Sequence, residues 1–214
     1  MKSWARILFT LLMASLLFSG CSNASLKGPW IGSNTESEFR WYLITDGKGN
    51  ITDIGGFETQ GIGYKVNPFG TFSVYVVASG IPGTLNGKFI SKTHATTTFV
   101  DKHGETSIGN LDKVIDPSIC EGTWTGSMVT DSETFSIEFV IDSNGAIIDY
   151  TTDFIPPVSG HIFSIGDVVT GFFRTGSSGG YEEIKIAGIL SDGAINGTFR
   201  NNDMMEGTVQ LLLK

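Results

Sequence analysis

The chain is 214 residues long, with 40% hydrophobic, 17% charged and 11% aromatic residues, which is enough apolar material for a core and excludes an intrinsically disordered polypeptide. Its formal net charge of −8 falls to −10 once Lys2 and Arg6 of the leading segment are set aside. So acidic a chain is not expected to bind nucleic acid, and its surface disfavours anionic lipid headgroups.

Lys2 and Arg6 open the chain as a short basic region, Ile7 to Phe18 form an apolar run interrupted by Thr10 and Ser15, and Ser19-Gly20-Cys21 closes it with small residues. An apolar run of about a dozen residues falls short of the roughly 20 that span a bilayer, so residues 1–20 read as a cleaved signal peptide and residues 21–27 as a tether. The stretch Leu17-Phe18-Ser19-Gly20-Cys21 resembles the lipobox of bacterial lipoproteins, departing from it at Phe18, where that family usually has Leu. The resemblance implies a diacylglycerol on the sulfur of Cys21 and removal of the peptide before it, the alternative being an ordinary secretory signal cleaved near Ala24. Ser22 in place of Asp after the cysteine implies, by the same resemblance, the outer membrane where the host is Gram-negative. The expected location is the cell envelope, with the membrane as partner through the N-terminal lipid. Residues 22–27 reach about 20 Å at full extension, so whatever follows sits close to the bilayer.

After the tether the pattern is that of strands, with short apolar or alternating runs ended by Gly, Asn, Asp or Pro. Following Gly28-Pro29-Trp30-Ile31-Gly32, strands are expected over residues 39–45, 50–54, 64–66, 71–78, 84–90, 95–100 and 107–114. Asp116-Pro117 then interrupts the pattern as a unit boundary. Cys120 lies just before Gly122-Thr123-Trp124-Thr125-Gly126. It reads as a small buried hydrophobe, with no histidine or basic residue nearby in sequence to activate the thiol. Further strands are expected over residues 135–141, 146–152, 161–165, 168–174, 182–190, 194–200 and 206–213, with Asn144-Gly145 as a tight hairpin turn.

Three segments recur in the same order. Gly28 to Ser33 matches Gly122 to Ser127 at an offset of 94, Phe39 to Ile51 matches Phe135 to Ile147, and Gly83 to Phe89 matches Gly193 to Phe199 at an offset of 110. The growing offset implies an insertion in the second copy around Gly171 to Gly180. The expected fold is all-β: two tandem antiparallel meanders, up-and-down and barrel-like, produced by an internal duplication. They occupy residues 28–116 and 117–214. A single larger barrel made from both copies is the alternative.

Sites of chemistry are sparse. His94, His103 and His161 show no metal-ligand spacing, no nucleophile elbow or phosphate-binding loop is present, and Glu182-Glu183 reads as a solvated strand end. Asp46 to Asn50 and Asp142 to Gly145 begin like calcium loops but lack the distal glutamate, and they read as hairpin turns. No enzyme activity, cofactor or metal is expected. Trp30 and Trp124, each within a Gly-x-Trp-x-Gly segment, resemble the tryptophan that lipocalins and avidins place near their first strand. That resemblance implies a plug at one barrel end, with ligand contact by Trp30 and Trp124 as the alternative. Two functions follow: a binding module for a small apolar ligand, or a solid-packed structural protein that docks another envelope protein. Inward Phe135, Phe139, Phe172, Phe173, Trp124 and Phe199 would fill the second barrel and favour docking, whereas inward Gly and Ala would leave a cavity.

Overall fold

In the computed structural model, which describes residues 23–35, 40–59, 63–78, 80–153, 157–177, 180–201 and 205–214, the period-two alternation closes into two antiparallel sheets. Cys21 and the signal segment lie outside the described residues. The first sheet contains β1 (Gly28–Asn34), β2 (Arg40–Thr45), β3 (Ile51–Gly55), β4 (Glu58–Thr59), β5 (Thr71–Ala78), β6 (Ile81–Phe89), β7 (His94–Asp101) and β8 (Thr106–Lys113). The second repeats it with β9 (Gly122–Val129), β10 (Thr134–Ile141), β11 (Ile147–Thr152), β12 (Pro157–Ile165), β13 (Val168–Ser177), β14 (Gly180–Ser191), β15 (Ala194–Asn201) and β16 (Glu206–Leu213). In each sheet the first strand pairs with both the second and the eighth, giving orders β3-β2-β1-β8-β7-β6-β5-β4 and β11-β10-β9-β16-β15-β14-β13-β12. The edges nearly meet through bridges from Asn50 to Lys65 and from Ala146 to His161, so each sheet is a nearly closed barrel. The chain forms two barrels, and the single-barrel alternative does not hold.

The pairing corrects one sequence match. β6, which carries Gly83 to Phe89, occupies the place of β14, whereas the matched Gly193 to Phe199 begins in the turn before β15 and lies mostly on that strand, one strand further on. Strand pairing sets the late offset at 100: Ala95 faces Leu111 as Ile195 faces Leu211. The extra residues lie in the β13–β14 hairpin, whose strands run 10 and 12 residues against 8 and 9 in β5 and β6.

Both barrels are plugged at one end by the same device. A short 3₁₀ helix (Asn23–Leu26, Pro117–Cys120) precedes the first strand, and the tryptophan indole donates to the carbonyl four residues back. The distances are 3.0 Å from Trp30 Nε1 to Leu26 O and 2.8 Å from Trp124 Nε1 to Cys120 O. Burying so large a ring with its one donor satisfied stabilises the end without a polar penalty. Cys120 takes the position of Leu26, completely buried, and burial pushes its thiol up to about 11. That environment is the hydrophobic one expected from its sequence neighbours.

The turns also share a construction. Asp46, Asn67, Asp101 and Asp142 each use Oδ1 to accept the backbone N–H groups two and four residues ahead, and the glycine three ahead (Gly49, Gly70, Gly104, Gly145) takes φ between +75° and +91°. In the Asp142 turn only Gly145 adopts positive φ, so the Asn144-Gly145 segment is the end of a side-chain-capped turn and not a two-residue hairpin. The Asp46 and Asp142 oxygens are thereby engaged by backbone and neighbouring Asn side chains.

Candidate functional site

The end of the first barrel opposite Trp30 opens into a cavity of about 350 Å3. Its walls are Trp41 from β2, Phe57 after β3, Leu85 from β6 and Phe99 from β7, and its rim carries Asn34, Asp101 and Glu105. Trp41 and Phe57 meet edge to face at 5.3 Å, while Phe57 and Phe99 stack at 6.4 Å. Trp41 lies directly over its strand partner Gly32, where a Cβ would sit 2.0 Å from the ring, so the absent side chain sets the ring's position. An apolar pocket of this size with a few polar groups at its mouth suits a small molecule.

The counterpart end of the second barrel is filled. Gly83, paired with Val76 and Asp101, is replaced by Ile184, paired with Phe173 and Asn201. Gly109, paired with Asn34 and Thr97, is replaced by Val209, paired with Met128 and Gly197. Ile184, Val209, Met128, Phe139, Phe173 and Phe199 are all buried there, with Trp124 at the closed end. Phe135 packs against this core, but Phe172 does not belong to it. Alternation turns Phe172 outward, where it joins the core of the first barrel with Phe163.

That outward face is the seam between the barrels. Tyr42 of β2 contacts Phe163, Phe172 and His161 edge to face at 5.6, 5.3 and 5.3 Å. Its hydroxyl donates to Asp53 Oδ2 at 2.6 Å and lies 3.2 Å from His161 Nδ1. Arg174 of β13 reaches Asp53 at 3.4 Å, donates to Ile54 O at 2.5 Å and pairs with Glu183 at 3.4 Å. Glu183 also accepts from Gly56 N at 3.1 Å and lies 3.9 Å from Lys185. Burial opposes ionisation of Asp53, yet hydrogen bonds from His161 and Tyr42 and the charge of Arg174 hold its carboxyl below the ordinary value. Burial dominates at Glu183 and pushes its pKa up despite Lys185 and Arg174. Glu183 is therefore a buried seam residue and not a solvated strand end, because this part of β14 is covered by the first barrel at Gly56.

Trp30 and Trp124, completely or almost completely buried at the plugged ends, lie away from the lining of the cavity. The three histidines are apart: His94 pairs with Asp112 at 2.8 Å, His161 belongs to the seam and His103 is exposed. Sequence reasoning missed Trp41, Phe57 and Phe99, and the signal that would have found them is the loss of bulk at Gly83 and Gly109, visible only in the correct register.

No known family matches this chain, and no curated protein matches it in sequence. In structure it is similar to a protein of unknown function from the DUF3598 family of Nostoc punctiforme PCC 73102. The two share 10% identity over 89% of this chain and 97% of that one, with a TM-score of 0.28.

Proposed function

We propose that the chain is a lipid-anchored cell-envelope protein whose first barrel holds a small apolar ligand and whose second barrel is its packed scaffold. The observation that carries the reading is the contrast between an aromatic-lined cavity at the mouth of one barrel and bulky side chains at the same place in the other. Asp101 and Glu105 at the rim favour a neutral or cationic polar group on that ligand over a carboxylate. The ligand is held and not converted. Lipidation at Cys21 and an outer-membrane address in a Gram-negative host belong to the same reading, supported by the lipobox resemblance. The filled second barrel favours a docking role for that half, which is the alternative for the whole chain.

The test is native mass spectrometry of the protein from its own host beside Trp41→Ala/Phe99→Ala. A discrete extra mass on the natural protein, lost on denaturation and absent from the double variant, is the expected result. A bare natural protein, or an extra mass retained by the double variant, overturns the cavity as ligand site.

A further inference from the structure

We infer that the plugged end of the first barrel is a docking face for an anionic phospholipid surface. The inference deepens the tethered reading, and three observations carry it.

The first is local charge. Although the chain is acidic overall, Lys27, Lys48, Lys65, Lys88 and Lys92 are all exposed at this end. Lys27 immediately precedes β1, Lys48 sits in the β2–β3 turn, Lys65 bridges to Asn50, Lys88 faces Thr71 at the foot of β5, and Lys92 lies in the β6–β7 turn. Acidic groups at the same end are engaged locally. Asp46 caps its own turn, Asp112 pairs with His94, and Asp116 accepts from Ser118. Lys65 and Lys88 border one groove of about 530 Å3 whose other walls include Asn67, Thr71 and Asn86, donors that suit a phosphate oxygen.

The second is exposed apolar surface among those lysines. Phe69 and Ile115 are each 75% exposed and Ile90 is 60% exposed, at loop tips of this same end. Basic residues mixed with protruding apolar side chains are the composition that inserts into a headgroup layer.

The third is that the fold does not require this charge. In the second barrel Glu121 stands in the place of Lys27, Asn144 of Lys48, His161 of Lys65 and Ile189 of Lys88, and the β14–β15 turn carries Asp192. At these five positions the lysines are confined to the copy joined to the N-terminus, and Lys214, at the plugged end of the second barrel, is paired with Glu138. Asn23, the first described residue, starts the plug helix at this very end, and Cys21 is two residues before it.

The experiment uses the mature polypeptide with Cys21→Ser, so that no acyl chain contributes, and measures cosedimentation with phosphatidylglycerol-containing vesicles and with phosphatidylcholine vesicles. Preferential, salt-sensitive binding to the anionic vesicles is expected. Each basic residue near such a surface is worth about fivefold, from about 1 kcal/mol, so losing three charges in Lys48→Gln/Lys65→Gln/Lys92→Gln weakens binding on the order of 100-fold, and Lys48→Glu/Lys65→Glu/Lys92→Glu weakens it further. The milder Lys48→Gln/Lys65→Gln/Lys92→Gln retains the fold if the reversal does not and also loses binding. Lys102→Glu, at the opposite end of the barrel, leaves it unchanged. Equal binding to both vesicle types, no binding, or unaltered binding by the glutamine variant overturns the inference. Failure of the tethered reading would appear separately, as an unacylated Cys21 or its absence in the intact mass of the natural protein.

Discussion

The two barrels agree at their plugged ends and differ at their mouths. Trp30 and Trp124 make the same hydrogen bond to the same relative carbonyl, and Leu26 and Cys120 fill the same space beneath them. At the other end a handful of positions separate the copies: Gly83 against Ile184, Gly109 against Val209, and Trp41 against Ile137. The plug is a requirement of closure, since each barrel needs one end sealed by a large ring with its donor satisfied. The mouth carries no such requirement, so side-chain volume there is free to diverge and one copy acquires a cavity.

The largest expected effect comes from breaking the packed interior. Phe139→Ala in the second barrel removes a completely buried ring and is expected to cost about 3–5 kcal/mol in urea unfolding. Phe99→Ala, at a cavity wall and only partly buried, is expected to cost less than half as much, and equal losses would erase the contrast between open and filled mouths.

The seam comes next. Asp53→Ala strips Arg174 and His161 of their shared carboxylate, with an expected loss on the order of 1–3 kcal/mol. Because the folded pKa of Asp53 is depressed, its contribution is present above the ordinary aspartate value near 3.9 and disappears as pH falls through the lower folded value. Glu183 has the opposite sign: its raised folded pKa costs stability at neutral pH, and the cost is relieved as pH falls through that value. Melting temperature followed against pH should therefore flatten at its acid end in Asp53→Asn. Glu183→Gln should rise relative to the natural protein at neutral pH and converge with it in acid.

The smallest effect tests the likeness of the plugs. Trp30→Phe and Trp124→Phe each remove one N–H donor, but Leu26 O keeps the Thr45 hydroxyl, whereas Ile141 stands in the place of Thr45 in the second barrel, so Trp124→Phe should cost about 1–2 kcal/mol and Trp30→Phe less. Equal losses would mean that the Thr45 hydroxyl does not distinguish the two plugs.

The strands and the duplication were legible because alternation survives in the sequence wherever one face is buried, as in Phe135 to Ile141. The third repeat match fell one strand out because the Gly, Asn and Phe of β6 recur on β15, whereas β14, the strand in the place of β6, carries neither Asn nor Phe, and only pairing fixes the register. Phe172 and Glu183 were misplaced for a related reason. Sequence shows which residues face out of a barrel but not which outer face a second barrel covers. The cavity was illegible because glycine in a strand reads equally as a bend or a bulge, and only the fold shows that Gly83 lies against the Phe99 ring and that Gly109 lines the opening.

The short helix ahead of β1 also has a mechanical meaning. Any pull on the chain ahead of Asn23 arrives first at Asn23–Leu26, where the Leu26 carbonyl is gripped by both the Trp30 indole and the Thr45 hydroxyl, and Lys113 holds Ser25 O at 2.9 Å. Three side chains from three different strands share that load before any ladder hydrogen bond is stressed. Tension applied from the N-terminal side would thus be spread across the barrel floor, leaving the mouth, at the far end of the same strands, mechanically quiet.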